Sequence, residues 1–200
     1  FLPEKLEKQV LLFEDSHVGI AICNTWFFKQ DGAGIEEWLY YDEPPPTGHV
    51  FNELLINYYI SFETAIFRKS AVGNDPKKWF PENFNICTDF DLFLRISHKF
   101  MLAYVDEPLA KWRIHEANLS TLKNYLAPLE KLAMIPRILD YEPDFYKKNK
   151  KELKRYLASV FSEQATFYWQ QEQKFEAIWS QLHSLFKEFS FKSLTKLLLI

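Results

Sequence analysis

Apolar residues at Leu2, Leu6, Val10 and Phe13 recur at helical spacing. They predict a helix over residues 2–15 with these residues on one apolar face. Pro3 suits its first turn, where the missing N–H is not needed, and Glu4 lies near its positive end. The period then changes to two. Val18, Ile20 and Ile22 alternate with small residues, as in a strand. The Asp31-Gly32 step predicts a tight turn, and IEEWLYY (35–41) the returning strand. Three prolines at 44–46 forbid a helix across 42–49, and Thr47 is placed to cap a helix over 49–59. Residues 63–69 read as a short buried strand. Residues 71–85 are punctuated by Gly, Asn, Asp and Pro and read as a loop. A helix over 85–98 and a strand over 100–115 follow, the strand interrupted at Glu107-Pro108, where proline marks an edge or a kink.

Beyond Ser120 the pattern is helical throughout, and the division predicted is an α/β part over 1–120 and a helical C-terminal extension over 121–200. Phe175, Ile178, Trp179, Leu182 and Phe186 share one helical stripe. That stripe is either the core of packed helical hairpins or a face that docks a partner.

Composition narrows the classes. The 200 residues are 48% hydrophobic and 18% aromatic, enough to bury a large core without staples. The net charge of -3 comes with no dense basic block, which argues against nucleic acid as a partner. KKNKKELKR (147–155) reads as a solvated helix face. Cys23 and Cys87 are the only cysteines, without CxxC spacing. They read as buried reduced thiols in a cytoplasmic protein. The first residues lack a signal-peptide pattern, and no apolar run approaches the ~18 residues of a membrane span. The apolar end SLTKLLLI leaves a membrane-peripheral contact open, as it does a homodimer. The chain opens on Phe rather than Met and is read as a piece of a longer protein.

The candidate chemistry lies in NICTDFDLFLRI (85–96). Thr88 and Asp91 have capping-box spacing. Asp89 and Asp91 fall in a first turn that favours anions, and Asp91 precedes Arg95 by four, the better order for a helical ion pair. Leu92, Phe93 and Ile96 supply the buried face. Asp89 is not needed for the box. A loop delivers it to a helix start, where a carboxylate is well placed to meet a ligand.

An acid pair, DLFLRIS, a strand, DEPLAKWRIH and then ANLS follow one another from 84 to 120. This order resembles the C-terminal half of the catalytic domain of family 2 glycosyltransferases, which have the GT-A fold. Asp89 matches the aspartate of the family's Glu-Asp dipeptide, with Thr88 where the family has Glu. Asp91, Leu92, Leu94 and Arg95 continue the match, and Pro108, Leu109, Arg113, His115, Asn118 and Ser120 match the second block. ETAIFRKSAV resembles the strand before, and FLPEKLEKQV the helix after the family's acidic metal motif. The resemblance covers about residues 1–120. It implies a partial GT-A domain, α/β in class and α+β as a piece, without its nucleotide-binding half.

What the resemblance implies is inverting transfer of a sugar from a nucleotide-sugar donor to a hydroxyl of a glycan or lipid-linked acceptor. Asp89 would be the general base. Its helix N-terminal position would keep it ionised. Asp91, Arg95, Arg113 and Trp112 would serve donor or acceptor binding. His115 would help hold a divalent metal, manganese or magnesium, in the whole enzyme. The piece alone is expected not to bind a nucleotide-sugar in the family's usual way. Two other classes stand beside this reading. One is a non-catalytic helical interaction module. The other is a metal hydrolase built on Asp89, Asp91, His115 and His49, for which no HExxH-type spacing is present.

Overall fold

In the computed structural model, which describes residues 1–31 and 34–199, the chain is mixed α/β. It divides into two compact units, residues 1–83 with 88–122, and residues 84–87 with 123–200. The first unit holds α1 (Lys5–Leu11), β1 (Val18–Asp31), β2 (Gly34–Leu39) and α2 (Phe51–Ile56). It continues with β3 (Ile66–Phe67), α3 (Lys69–Val72), α4 (Thr88–Ser97), β4 (Met101–Ile114) and α5 (Leu119–Leu122). The second unit holds α6 (Ala127–Tyr141), α7 (Phe145–Lys148), α8 (Lys150–Gln170), α9 (Lys174–Lys187) and α10 (Phe191–Leu199).

The sheet is mixed. β1 runs through its centre, parallel to β4 on one edge. On the other edge it is antiparallel to β3 near its start and to β2 near its end. The β1–β2 pairing forms the expected hairpin. Gly32, in its turn, lies outside the described residues. The predicted break at Glu107-Pro108 is a bulge inside one continuous strand. Cys23 pairs with Val105 but Asn24 already with Pro108, so Asp106 and Glu107 are the extra residues. Gly19 is required by packing, because a Cβ there would collide with Phe100 and Ile96. The core forms where α4 packs on β1. Ile20, Ile22, Leu92, Phe93, Leu94 and Ile96 are all fully buried.

One local expectation gives way. Thr47 does not cap α2. That helix begins after Val50, without a side-chain cap bond. In α1 the apolar face looks outward, with Leu6 and Val10 each 57% exposed, while Lys5 and Gln9 are buried. The cause is a gap in the ladder. β3 pairs with only two residues of β1, and beyond it the carbonyls of Ala21 and Thr64 need donors. Gln9 Nε2 donates to both, at 3.0 and 2.8 Å, and its Oε1 accepts from Lys5 Nζ at 2.7 Å. Satisfying buried carbonyls outweighs burying two aliphatic side chains that α1 can leave in water. Gln9→Leu should therefore cost about 2 kcal/mol in urea unfolding, whereas Leu6→Glu should stay within ~0.5 kcal/mol of the parent.

The second unit is helical, and α8 and α9 form an antiparallel hairpin, with Ser184 beside Ala158 and Ser180 beside Gln164. Here the apolar stripe of α9 is outside. Phe175, Trp179 and Phe186 are 77, 59 and 86% exposed, and Ala177, Ser180, Gln181 and Ser184 line the buried side. Both cysteines are buried. Among the described residues no helix is long and apolar enough to cross a membrane.

Candidate functional site around Asp89

Asp89 opens the second residue of α4. Its Oδ2 accepts a hydrogen bond of 2.6 Å from the Tyr58 hydroxyl, and the Tyr58 ring stacks on Phe90 with centroids 4.7 Å apart. Helix position alone predicts a readily ionised carboxylate. The structure reverses the direction. Burial pushes the Asp89 carboxyl above its ordinary range, against the pull of the Tyr58 hydroxyl and of the backbone N–H groups of Phe90 and Asp89 itself. Tyr58 is in turn driven well above the usual phenol range by burial and by the facing charge of Asp89. A carboxylate raised in this way gains basicity, as a general base requires.

Tyr40 joins this group. Burial raises its phenol, and the charges of Glu63 and Asp89 raise it further. Glu63 accepts from the Ser61 hydroxyl through both oxygens at 2.8 Å. Tyr40 stacks on Phe27, with centroids 4.8 Å apart and an interplanar angle of 29°. Phe27 pairs across the sheet with Trp38 on one side and Trp112 on the other. Its ring meets theirs edge-on, at 6.3 and 4.7 Å. The result is an aromatic row across three strands that Tyr40 extends past the end of β2. Beneath it the side chain of Asn24 replaces missing ladder bonds, donating to the Tyr41 carbonyl at 2.9 Å and accepting from the Tyr41 N–H at 3.1 Å.

The remaining predicted residues are distributed differently. Asp91 is buried, with Arg95 3.9 Å away. Arg95 also donates to the carbonyls of Trp79 (2.6 Å) and Lys78 (3.3 Å), so the pair holds the 76–79 loop to α4. Arg113 follows Trp112 on β4 and projects to the opposite face, where its guanidinium lies 5.3 Å from the Phe28 ring centroid. His115 is exposed just past the end of β4. Its backbone N–H donates to Asn118 Oδ1 at 2.9 Å, and Asn118 Nδ2 donates to the Arg113 carbonyl at 3.2 Å. His49 is exposed in the loop before α2. Among the described residues no three His, Cys, Asp or Glu side chains gather as a metal site. His115 is therefore not part of such a group.

Sequence reasoning missed Tyr58, Tyr40, Phe27 and Trp38. Aromatic residues at period two in β1 and β2 and the Tyr58-Tyr59 pair after α2 were the available signals. Tyr58→Phe tests the coupling. Removing the donor that lowers the Asp89 carboxyl should move its titration to higher pH, read from the Asp89 carboxyl carbon shift by NMR. An unchanged midpoint would mean that the hydroxyl has no hold on Asp89. Comparison with family models, with curated proteins and with solved structures returned no match.

Proposed function

We propose that the first unit is the acceptor side of a GT-A-type, inverting glycosyltransferase, with Asp89 as its general base. The observation that carries this reading is the aromatic row from Trp112 through Phe27 to Tyr40, whose phenol feels the charge of Asp89, a half-buried carboxylate of raised basicity. Aromatic faces suit the C–H faces of a sugar ring, and a carboxylate within hydrogen-bond reach of a bound hydroxyl can take its proton. The proton passes from the acceptor hydroxyl to an Asp89 carboxylate oxygen as the hydroxyl oxygen forms its bond to the anomeric carbon. The bond from that carbon to the nucleotide phosphate breaks, and the nucleotide leaves with the electron pair. Tyr58 positions Asp89 and tempers its basicity. Asp91 and Arg95 brace the loop beside it.

The test uses the protein as expressed from its own gene, supplied with labelled nucleotide-sugars, manganese and lipid-linked acceptors. Transfer with inversion at the anomeric carbon, read by proton NMR of the product, is expected. Retention of configuration would remove this role from Asp89. A second reading, a helical interaction module, rests on the outward aromatic stripe of α9.

A further inference from the structure

We propose that the α9 face of the helical unit docks in the plane of an anionic lipid surface, an inference independent of the glycosyltransferase reading. α9 is built inside out. Its buried side carries Ala177, Ser180, Gln181 and Ser184. These are small or hydrogen-bonded to the hairpin, with Ser184 Oγ donating to the Ala158 carbonyl at 2.7 Å and Gln181 Nε2 to the Ser193 carbonyl at 3.0 Å. Ser184 is thus tied to α8 and the Gln181 amide nitrogen to α10, while Gln181 Oε1 is buried without a hydrogen bond. Phe175, Ile178, Trp179, Leu182 and Phe186 face outward, and Phe189 extends the stripe past the helix end. Phe161 and Tyr168 of α8 join Phe175 and Trp179 around an open groove of about 510 Å³. A contiguous apolar surface of this kind marks a docking face.

Charge decides what it docks on. Residues 123–200 carry thirteen Lys and Arg against nine Asp and Glu, whereas residues 1–122 carry eleven against eighteen. The acidic balance of the whole chain hides a basic helical end. Because α8 and α9 are antiparallel, the exposed Lys150, Lys151 and Lys154 at the start of α8 lie at the Phe186 end of the stripe. A second copy packed about a two-fold would set this basic ground against itself, and like charges across an interface repel. A layer of anionic headgroups complements it, while Trp and Phe side chains suit the boundary between headgroups and acyl chains. Among the described residues no helix is long and apolar enough to cross a membrane, so the face lies along the surface.

The experiment is co-sedimentation of the full chain with vesicles of phosphatidylcholine alone and of phosphatidylcholine mixed with phosphatidylglycerol. Binding to the anionic vesicles is expected to exceed binding to the neutral ones at least tenfold and to weaken with salt, as roughly fivefold per surface lysine implies. Lys150→Gln, Lys151→Gln and Lys154→Gln together should weaken it by on the order of 100-fold. Phe175→Ser with Phe186→Ser should abolish it while the circular dichroism spectrum is kept, since both side chains are exposed. In the unmutated chain, brominated lipid should quench tryptophan emission, and Trp179→Leu should remove most of that quenching. No binding to anionic vesicles, or binding indifferent to these substitutions, overturns the proposal. A dimer in sedimentation equilibrium that the two serine substitutions dissolve, without lipid binding, would assign the face to a second copy.

Discussion

With Asp89 as the general base of the proposed glycosyl transfer, Asp89→Asn will lower that transfer by about 10³-fold, the range expected for loss of a general base, and the protein will be as stable as its parent or more so. The second half follows from the sign of the shift. Burial raises the Asp89 carboxyl above its unfolded value. Between the unfolded and the folded values the folded state therefore binds more protons. At neutral pH the ionised carboxylate opposes folding, and that cost disappears as pH falls through the folded value. Asn removes the charge and keeps an oxygen for the Tyr58 hydroxyl. The thermal midpoint of the variant at pH 7 should equal or exceed that of the parent, and the difference should shrink on acidification. Full turnover in the Asn variant would take Asp89 out of the reaction. A fall in midpoint matching the fall in turnover would make Asp89 a structural residue.

The same residue shows what a single sequence can and cannot carry. Local period identified α4, its inward Leu92, Phe93 and Ile96, and the bulged strand around Pro108, because each depends on neighbours a few positions away. Asp89 was legible as a carboxylate without a structural duty. Its raised basicity was not, since the helix-terminus argument considers only local backbone and omits desolvation. Tyr58 lies 31 positions from it, and the row from Trp38 through Phe27 to Trp112 depends on a parallel register between β1 and β4 that no local pattern specifies. In α1 and α9 the period was legible and the direction was not. Hydrophobicity points a stripe inward by default, yet Gln9 is drawn in by two carbonyls left without ladder partners. The small side of α9 is drawn in by close helix packing. Both orientations come from partners distant in sequence.

Glu130 is the clearest such partner. Thr88 and Asp91 have the spacing of a capping box, but the donors in the segment before Thr88 are taken by a carboxylate 43 positions from Cys87. Glu130, in the first turn of α6, accepts from the backbone N–H of Asn85 (2.7 Å), Ile86 (2.9 Å) and Cys87 (2.9 Å), and from the Asn85 side chain (3.3 Å). Burial pushes its carboxyl up. The three backbone donors and the Asn85 amide outweigh that and leave it below the ordinary range. Glu130→Ala leaves these donors facing a cavity and should cost about 4 kcal/mol in urea unfolding, several hydrogen bonds to a charged group being lost at once. With the folded value depressed, the unfolded state binds more protons as pH falls below about 4.3, the ordinary value for Glu. The stabilisation is therefore complete above that pH and is lost as pH falls through the folded value. Glu130→Gln should lower stability at pH 7 and flatten its decline between pH 5 and 3. A Gln variant whose acid limb parallels the parent's would show that Glu130 does not hold the 85–87 segment through its charge.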